Sequence, residues 1–258
     1  MYTISIPSVS QANFTSSSGV DVTVTFPTAD MLVGDWIYVI GGFYNDGSSM
    51  GPASTSLGWE YVYYWKSELY TPALGCWRKR WNGVETSAKF RGATTSGYGT
   101  VYGRIIVRDA GSFLRQNTME YGISTNPHCT GIENTLGDCV IIAAANAVSD
   151  TTPGTVTNYT TVNGNSAAVH PYSLSIGYRL DPNTPVEEPG SWSTWSSGSS
   201  ITSVIQVPPK SGTSSTEGVT PINAIRRLTD KLKNIRKTKS KLSVIKQSNL
   251  PQRYTKKV

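Results

Sequence analysis

The chain has 258 residues, enough for one large all-β domain or two small ones, and only 16% of them are charged. This low charge content, with abundant Gly, Ser, Thr, Tyr and Trp, argues against a mainly helical fold and is typical of strands and turns. The net charge of +6 is unevenly divided, because residues 219–258 hold twelve basic side chains and one acid, a charge of +11, whereas residues 1–218 carry −5.

Alternating apolar and polar residues predict half-buried strands at residues 2–6 and 20–26. Residues 35–44 form a nearly continuous apolar run that ends in Asn-Asp-Gly, as a strand inside a sandwich would. The next two strands are each expected to gather aromatic side chains on one face: Trp59, Tyr61, Tyr63 and Trp65 in the first, and Trp77 and Trp81 in the second, over residues 73–81.

Further strands are predicted at residues 100–108, 136–145, 172–180 and 201–207. Roughly nine to eleven short strands with Gly, Pro and Asn between them predict an all-β fold, a β-sandwich of jelly-roll-like form. We expect this domain to span residues 1–207, with residues 181–200 as a long loop before its final strand.

A basic segment follows the predicted sandwich. Residues 208–219 are rich in Pro, Gly and Ser and are expected to form a flexible linker. Thr220 and Pro221 then provide a helix start signal, and an apolar stripe at helical spacing follows among many cations. We predict a C-terminal helical tail over residues 220–258 that anchors on a partner through Ile225, Arg226, Arg227, Leu228, Lys231, Leu232, Lys233, Ile235, Arg236 and Lys237.

Motifs for catalysis or metal binding do not stand out. The two histidines, His128 and His170, form no His-x3-His pair, and the three irregularly spaced cysteines form neither a Cys-x2-Cys pair nor a disulfide framework. There is no P-loop, Gly-x-Ser-x-Gly or calcium loop, and the adjacent acids Glu187 and Glu188 are expected in a solvated loop. We therefore expect no enzyme, no metal site and no cofactor.

The sequence also lacks signals for export. No charged segment followed by an apolar one opens the chain, and no run of about 18 apolar residues occurs. Neither a signal peptide nor a membrane partner is therefore expected, and an odd number of cysteines suits folding in a reducing cytoplasm.

The aromatic residues have two interpretations. The face with Trp59 to Trp65 is first expected in the core, since one inner face of a sandwich must be apolar, and a sugar-stacking platform is the alternative. Trp192 and Trp195 stand among small polar residues, where exposure is expected. They are the candidates for contact with a carbohydrate or a protein, and packing of their own loop is the alternative.

The cationic tail has three interpretations. Lys and Arg at this density bind phosphates, so nucleic acid is one partner to consider. However, Tyr254 is the tail's one aromatic residue and no base-reading pattern is present. An apolar stripe is buried best in a groove of another protein, so we favour docking on an acidic protein surface over binding to nucleic acid. A solvated, disordered tail is the third interpretation.

Seven strand and turn segments follow one another in a characteristic order: GDWIYVIGG (34–42), LGW (57–59), YYWK (63–66), GRIIVRD (103–109), NTLGDCVIIAAAN (134–146), SLSIGYRL (173–180) and PGSWSTWSSGSSITSVIQV (189–207). Over residues 20–207, this order resembles a β-sandwich module that recurs in virion structural and tail-appendage proteins of tailed bacteriophages. The middle differs, because such modules usually carry YRGV where this chain has IIVRDAGSF (105–113).

The resemblance implies a building block for attachment or display on virions, without catalytic residues. Our first hypothesis is a decoration or accessory protein attached to the capsid, made in the host cytoplasm and located on the virion. Its expected partners are the major capsid protein or a tail or neck component, and further copies of itself in a homo-oligomer. The alternative is a tail, neck or baseplate appendage that binds a host surface glycan. A third, an enzyme that degrades cell-wall or capsular sugars, is disfavoured.

Overall fold

The computed structural model describes residues 4–7, 11–16, 20–44, 50–66, 72–93, 98–112, 115–116, 120–122, 126–133, 139–149, 151, 153–165, 171–180, 186–193 and 199–210. The chain divides into two units, Met1–Ser211 and Gly212–Val258, and every described residue belongs to the first. The predicted anchor helix, with its residues from Ile225 to Lys237, therefore lies outside the described part of the chain.

The described residues form strands, turns and loops, with no helix among them. The N-terminal half contains β1 (Gln11–Ser16), β2 (Val22–Thr25), β3 (Trp36–Tyr44), β4 (Glu60–Trp65), β5 (Pro72–Arg80), β6 (Ser87–Phe90) and β7 (Thr100–Val107). The C-terminal half contains β8 (Arg115–Gln116), β9 (Glu120–Gly122), β10 (His128–Cys129), β11 (Ile132–Glu133), β12 (Val140–Val148), β13 (Thr160–Asn165), β14 (Tyr172–Leu180), β15 (Val186–Glu187), β16 (Gly190–Ser191) and β17 (Ser200–Val207).

Each half of the chain builds one large antiparallel sheet. The five-stranded sheet has the order β1-β7-β3-β5-β4, and the six-stranded sheet has the order β13-β14-β12-β17-β8, with β9 also paired to β17. Three small ribbons, β2-β6, β10-β16 and β11-β15, accompany them. The all-β prediction is confirmed for the described residues.

The two large sheets repeat one strand order. In the first, β3 is central between β5 and β7, with β4 outside β5 and β1 outside β7. In the second, β12 is central between β14 and β17, with β13 outside β14 and β8 outside β17. Gly-Asp also precedes both central strands in the sequence, at residues 34–35 and 137–138. The two halves of the body are therefore topological repeats.

Both faces of the central strands are buried. Side chains from both large sheets share one cluster, here called the central cluster, whose members include Trp36, Tyr38, Ile40, Leu74, Ile105, Ile142, Leu174, Ile176 and Ile205. The other face of the five-stranded sheet packs under the β2-β6 ribbon, in a ribbon cluster that includes Val22, Val24, Ile37, Val39, Trp77, Trp81, Phe90 and Tyr102. The other face of the six-stranded sheet packs in an outer cluster with Cys129, Ile132, Ile141, Ala143 and Trp192. Because both faces are covered, β3 and β12 read as nearly continuous apolar runs.

One amide connects the two large sheets through the central cluster. Asn146 on β12 is fully buried, and its Nδ2 donates to the carbonyl oxygens of Phe43 at 3.2 Å and Ala73 at 2.7 Å. Gly42 makes room for it, because a Cβ atom at that position would lie 2.5 Å from Asn146 Oδ1. A directional bond of this kind fixes how β12 is aligned with β3 and β5, which apolar contacts alone do not do.

Strand β4 corrects the prediction of a single aromatic face. Its pairing with β5 shifts by one residue between Tyr61 and Tyr63, which is a β-bulge. Tyr63 and Trp65 therefore pack on the central cluster, whereas Trp59 packs on the ribbon cluster. Tyr61 is 64% exposed. A shift of one residue turns every later side chain to the other face, so strict alternation fails here.

The predicted bounds of the other strands agree with the structure to different degrees. The predictions at residues 35–44, 73–81, 100–108, 172–180 and 201–207 correspond to β3, β5, β7, β14 and β17. The strand predicted to start at residue 136 is β12, which starts at Val140, and the predicted loop 181–200 contains the short strands β15 and β16. Residues 2–6 contribute one described bridge, Ser5 to Arg108, and Val20 is exposed instead of half-buried.

Candidate functional site

A small polar cleft lies at the end of the five-stranded sheet where β3 begins and β7 ends. It has a volume of about 140 Å³ and is lined by Leu32, Val33, Gly34, Asp35, Arg80, Arg108, Asp109, Ala110 and Lys210. The lining combines three cations, two acids and an apolar edge. Its position follows from antiparallel pairing, since β3, β5 and β7 bring their adjoining ends to one edge of the sheet.

The Asp35 carboxylate and the Arg108 guanidinium form an ion pair in the lining of this cleft. Arg108 Nη2 lies 2.9 Å from Asp35 Oδ2, and Arg108 Nε lies 3.2 Å from Oδ1, so the contact is bidentate. The hydrogen bond to Asp35 raises the pKa of Arg108 above its usual value. The same carboxylate accepts from the Leu32 backbone N–H at 2.8 Å, and Arg108 donates to the Asp30 carbonyl at 2.7 Å. The pair therefore fastens the loop before β3 to the end of β7.

The segments that leave β7 and β17 run antiparallel to each other beside the cleft. Ala110 and Pro209 form an antiparallel bridge, the Gly111 N–H donates to the Pro208 carbonyl at 2.8 Å, and the Lys210 N–H donates to the Asp109 carbonyl. We call residues 109–111 and 208–210 the exit clasp. Asp109 adopts a φ of 55°, which is uncommon for a residue other than glycine and turns the chain sharply after β7. The clasp places Lys210 in the lining of the cleft.

Two arginines stack on the indole of Trp36, which directly follows Asp35 in the chain. The guanidinium carbons of Arg78 and Arg80 lie 4.4 and 4.7 Å from the Trp36 ring centroid, within cation–π range. Trp36 Nε1 donates to the Ala110 carbonyl at 3.2 Å, which connects β3 to the exit clasp. Arg78 also pairs with Glu60 at 2.8 Å. These contacts hold two positive charges at the border of the central cluster.

An exposed apolar surface adjoins the cleft, and we call it the apolar rim. Its four side chains have exposed fractions of 59%, 75%, 76% and 80%, for Leu32, Val33, Leu57 and Val84 respectively. A Cβ atom built on Gly83 would lie 2.8 Å from Val33 Cγ2. The backbone of residue 83, just before Val84, is therefore close to the Val33 side chain.

Lys79 extends the apolar rim to Leu57. Its Nζ donates to the Leu57 carbonyl at 2.6 Å and lies 2.6 Å from Glu85 Oε1. A single ammonium group thus brings residue 57 beside residue 85 and its neighbour Val84.

The cleft lining consists of two carboxylates, three cations and small or apolar residues. It contains no His, Cys, Ser or Tyr. Within the described ranges, no group of three or more His, Cys, Asp or Glu side chains is placed to hold a metal ion. Burial raises the pKa of the Cys76 thiol, and Cys129 and Cys139 are also buried. The arrangement can supply apolar contacts and charge to a partner.

The expected exposure of Trp192 is wrong. Its side chain is fully buried, and Nε1 donates to Ser175 Oγ at 2.6 Å. The physical reason lies in the pairing of β16 with β10, together with a 2.9 Å bond from the Trp192 N–H to the Pro127 carbonyl, which fixes the indole against the outer cluster. Loop packing, the alternative interpretation, accounts for this residue. Trp195 lies outside the described residues.

The other aromatic face is also closed to ligands. Trp77 and Trp81 do share a face, but they are 5% and 7% exposed within the ribbon cluster. Phe90 and Tyr102 lie against Trp77, with ring centroids 5.9 and 6.3 Å away. Both indoles are therefore packed inside the ribbon cluster.

Sequence reasoning missed the cleft, although a signal was present. Asp35 stands directly before the apolar run of β3, and Arg108 stands directly after the apolar run of β7. In an antiparallel pair the start of one strand lies beside the end of the other, so opposite charges at these positions predict an ion pair. That inference requires knowing that β3 and β7 are neighbours.

Comparisons with known proteins identify no family for this chain. No protein-family model matches the chain, and no curated protein and no solved structure matches it significantly. Across the described part of the chain there is no helix with the length and apolar character needed to cross a membrane. The resemblance to phage virion modules thus stays a prediction.

Proposed function

We propose that this chain is a non-enzymatic structural protein of a tailed-bacteriophage particle, a decoration or accessory protein attached to the capsid through its basic C-terminal segment. We further infer that the two large sheets form a β-sandwich around the central cluster, and that residues 220–258 form an amphipathic helix when anchored. The central cluster, to which both sheets contribute, supports the sandwich.

The separation of charge along the chain carries the proposal. Residues 219–258 hold +11 and residues 1–218 hold −5, so the positive charge is concentrated beyond the described body. An apolar stripe at helical spacing runs through the same segment, which favours a protein groove over a bare polyanion. Electrostatic attraction would bring such a segment to an acidic surface and the stripe would fix its register there.

The body supports a structural role. Its interior is filled by three side-chain clusters, and the cleft of about 140 Å³ is smaller than the roughly 300–1,000 Å³ of typical small-molecule sites. A carbohydrate-binding appendage has less support, since the indoles of Trp77, Trp81 and Trp192 are buried. The described residues thus favour a module that packs against proteins.

Two matched full-length variants test the anchor. The first replaces the six cations of the predicted helix, Arg226, Arg227, Lys231, Lys233, Arg236 and Lys237, with Gln. The control replaces the six that follow, Lys239, Lys241, Lys246, Arg253, Lys256 and Lys257, with Gln. Co-sedimentation with phage heads, and separately with tails, both lacking this protein, measures binding of the wild type and each variant.

We expect the wild type to bind heads, the helix variant to lose about tenfold or more in affinity, and the control to lose clearly less. Binding of the wild type should also weaken as salt rises, because exposed charges are screened. Binding to phage tails but not to heads would indicate that the protein is located in the tail or neck of the particle. Equal binding by all three proteins, or no binding to either particle, would refute the anchor, and tighter binding to naked DNA than to heads would favour nucleic acid.

A further inference from the structure

The chain contains two Asn-Gly pairs, Asn82-Gly83 and Asn163-Gly164, and both lie among the described residues. In such a pair the backbone nitrogen of the second residue can attack the side-chain amide of the first. Glycine hinders this attack least, because it has no Cβ atom and reaches conformations that other residues avoid. The two pairs share this local chemistry, so any difference between them in the folded protein is set by the structure around each pair.

The Asn82 side chain folds back over its own loop. Its Oδ1 accepts from the backbone N–H groups of Val84 at 3.0 Å and Glu85 at 3.3 Å, which is an Asx turn. The turn lays the side-chain amide along the stretch of backbone that contains the Gly83 nitrogen. The two donors also face the oxygen on which negative charge develops when a nucleophile adds to Cγ, as the N–H groups of an oxyanion hole do.

The backbone nitrogen of Gly83 is free to act as that nucleophile. Gly83 is exposed, and no hydrogen bond joins its N–H to another described residue. Solvent base can therefore remove the proton that the nitrogen must lose before it attacks. The φ of Gly83 is 87°, which glycine adopts without strain.

The loop around Asn82 is held closed by bonds that do not involve the reacting atoms. Trp81 Nε1 donates to the Glu85 carbonyl at 2.8 Å, and Lys79 Nζ lies 2.6 Å from Glu85 Oε1. The Trp81 N–H also donates to the Asp35 carbonyl at 2.8 Å. The folded protein therefore keeps the amide and the nitrogen together, which removes part of the entropic cost of their encounter.

The second Asn-Gly pair lies in β13 and has the opposite surroundings. Asn163 Nδ2 donates to the Pro153 carbonyl at 2.8 Å, whereas Oδ1 is buried and accepts no hydrogen bond from the described residues. Gly164 is buried and pairs with Leu174 of β14. A paired strand keeps the backbone extended and directs the side chain away from it. Attack by the Gly164 nitrogen thus requires the strand to open first.

We propose that Asn82 is a site of spontaneous deamidation in the folded protein and that Asn163 is protected. The Gly83 nitrogen loses its proton to solvent and forms a bond to Asn82 Cγ. The Cγ–Nδ2 bond breaks, and Nδ2 leaves as ammonia after it receives a proton from water, so that a succinimide ring remains. Water then opens the ring at either carbonyl and gives an aspartate or an isoaspartate residue. The net change converts one amide and one water into one carboxylic acid and one ammonia, and this inference does not depend on the proposed function.

Peptide mapping by mass spectrometry tests the proposal in the full-length protein after prolonged incubation at mildly alkaline pH. A second sample in concentrated guanidinium chloride is the matched control, because both pairs are then unfolded. We expect deamidation in the folded protein to be about tenfold or more faster at Asn82 than at Asn163, and the two rates in denaturant to agree within about threefold. The rate at Asn82 should be at least as high in the folded protein as in denaturant.

Equal rates at Asn82 and Asn163 in the folded protein would overturn the proposal, and so would a slower reaction of Asn82 in the folded protein than in denaturant. Enzymatic methylation of isoaspartate provides a second measurement, since a succinimide opens to both products. Aspartate alone would mean direct hydrolysis of the amide and would overturn the role of the Gly83 nitrogen.

The variant Asn82→Ser keeps an oxygen that can accept from the Val84 N–H but cannot form the ring. We expect this variant to fold with an unchanged melting temperature and to lose the acidic species that ion-exchange chromatography separates from the aged wild type. An acidic species that forms in Asn82→Ser at the wild-type rate would place the reaction at another residue and overturn the proposal.

Discussion

At the scale of single residues, the contact between Asp35 and Arg108 does more than neutralise two charges. Asp35 has a side chain that is 3% exposed, and it accepts from the Leu32 backbone as well as from Arg108. Arg108 in turn donates to the Asp30 carbonyl. The two side chains therefore hold the loop before β3 at Asp30, Leu32 and Asp35. The loop presents Leu32 and Val33 to solvent, and the ion pair therefore sets the position of the apolar rim.

Removing the charge of Asp35 should cost stability. In Asp35→Asn the shape is kept but the bidentate pair is lost, and we expect the free energy of unfolding to fall by about 2–3 kcal/mol, measured by urea denaturation. The control Asp21→Asn, at an exposed position, should change it by less than about 0.5 kcal/mol. Equal stability of the two variants would contradict the role given to this pair.

At the scale of elements, the bulge in β4 decides which aromatic side chains reach the core. Tyr61 and Tyr63 are two positions apart and would share a face in a regular strand. The shift in pairing with β5 leaves Tyr61 64% exposed and buries Tyr63, which is 2% exposed, in the central cluster. The bulge also interrupts the regular edge of the sheet, since β4 is an edge strand, and such interruptions discourage pairing with another chain.

Alanine substitutions on the two sides of the bulge should behave in opposite ways. Tyr63→Ala opens a cavity in the central cluster and should lower the free energy of unfolding by about 3–5 kcal/mol. Tyr61→Ala removes an exposed ring and should change it by less than about 0.5 kcal/mol. Chemical denaturation of both variants measures the contrast. Similar losses would mean that the two rings share the core as a regular strand predicts.

The elements that sequence reasoning found are those with an internal signal. Strands β3, β5, β7, β14 and β17 carry long apolar or alternating runs, and their predicted positions agree with the structure to within a residue or two. Strands β1 and β13 were missed because QANFTS and TTVNGN alternate poorly, and both are edge strands held by a single neighbour. Pairing partners, the bulge and the repeat of strand order depend on contacts between distant residues, which no local pattern encodes.

The candidate site was predictable only in part, for a related reason. Met31, Leu32 and Val33 continue the apolar pattern toward β3, yet Met31 is 5% exposed whereas its two neighbours lie open to solvent. Composition alone does not separate a buried residue from an exposed one of the same kind. The opposite error arose at Trp192, where polar neighbours in sequence suggested exposure and tertiary packing buried the ring.

At the scale of the whole body, several ionisable side chains are buried in their neutral form. Burial raises the pKa of Tyr38, Tyr63, Tyr102, Tyr172 and the thiol of Cys76 above their usual values. In the unfolded chain these groups release protons from about pH 8.5 for Cys and about pH 10 for Tyr. Above those values the folded state retains protons that the unfolded state has lost, so stability falls as pH rises.

We therefore expect alkaline destabilisation to begin near pH 9 and to steepen above pH 10, by about 1.4 kcal/mol per pH unit for each buried tyrosine. Urea denaturation of the full-length protein at several values between pH 7 and 11 measures the slope. Tyr102→Phe removes the hydrogen bond from Tyr102 to the Arg91 carbonyl, and it also removes one titrating group. Above pH 10, the free energy of unfolding of this variant should therefore fall less steeply with pH than that of the wild type. An unchanged slope would contradict the assignment.

The exit clasp has a mechanical consequence for any load applied to the C-terminal segment. A pull transmitted through Lys210 first meets the bridge between Ala110 and Pro209 and then runs along β17. That strand forms eight residue pairs with β12 on one side and pairs with β8 and β9 on the other. Because antiparallel hydrogen bonds lie perpendicular to the strands, tension along β17 acts on all of them in shear instead of opening them one at a time. A body tethered by this end would resist being torn from its support.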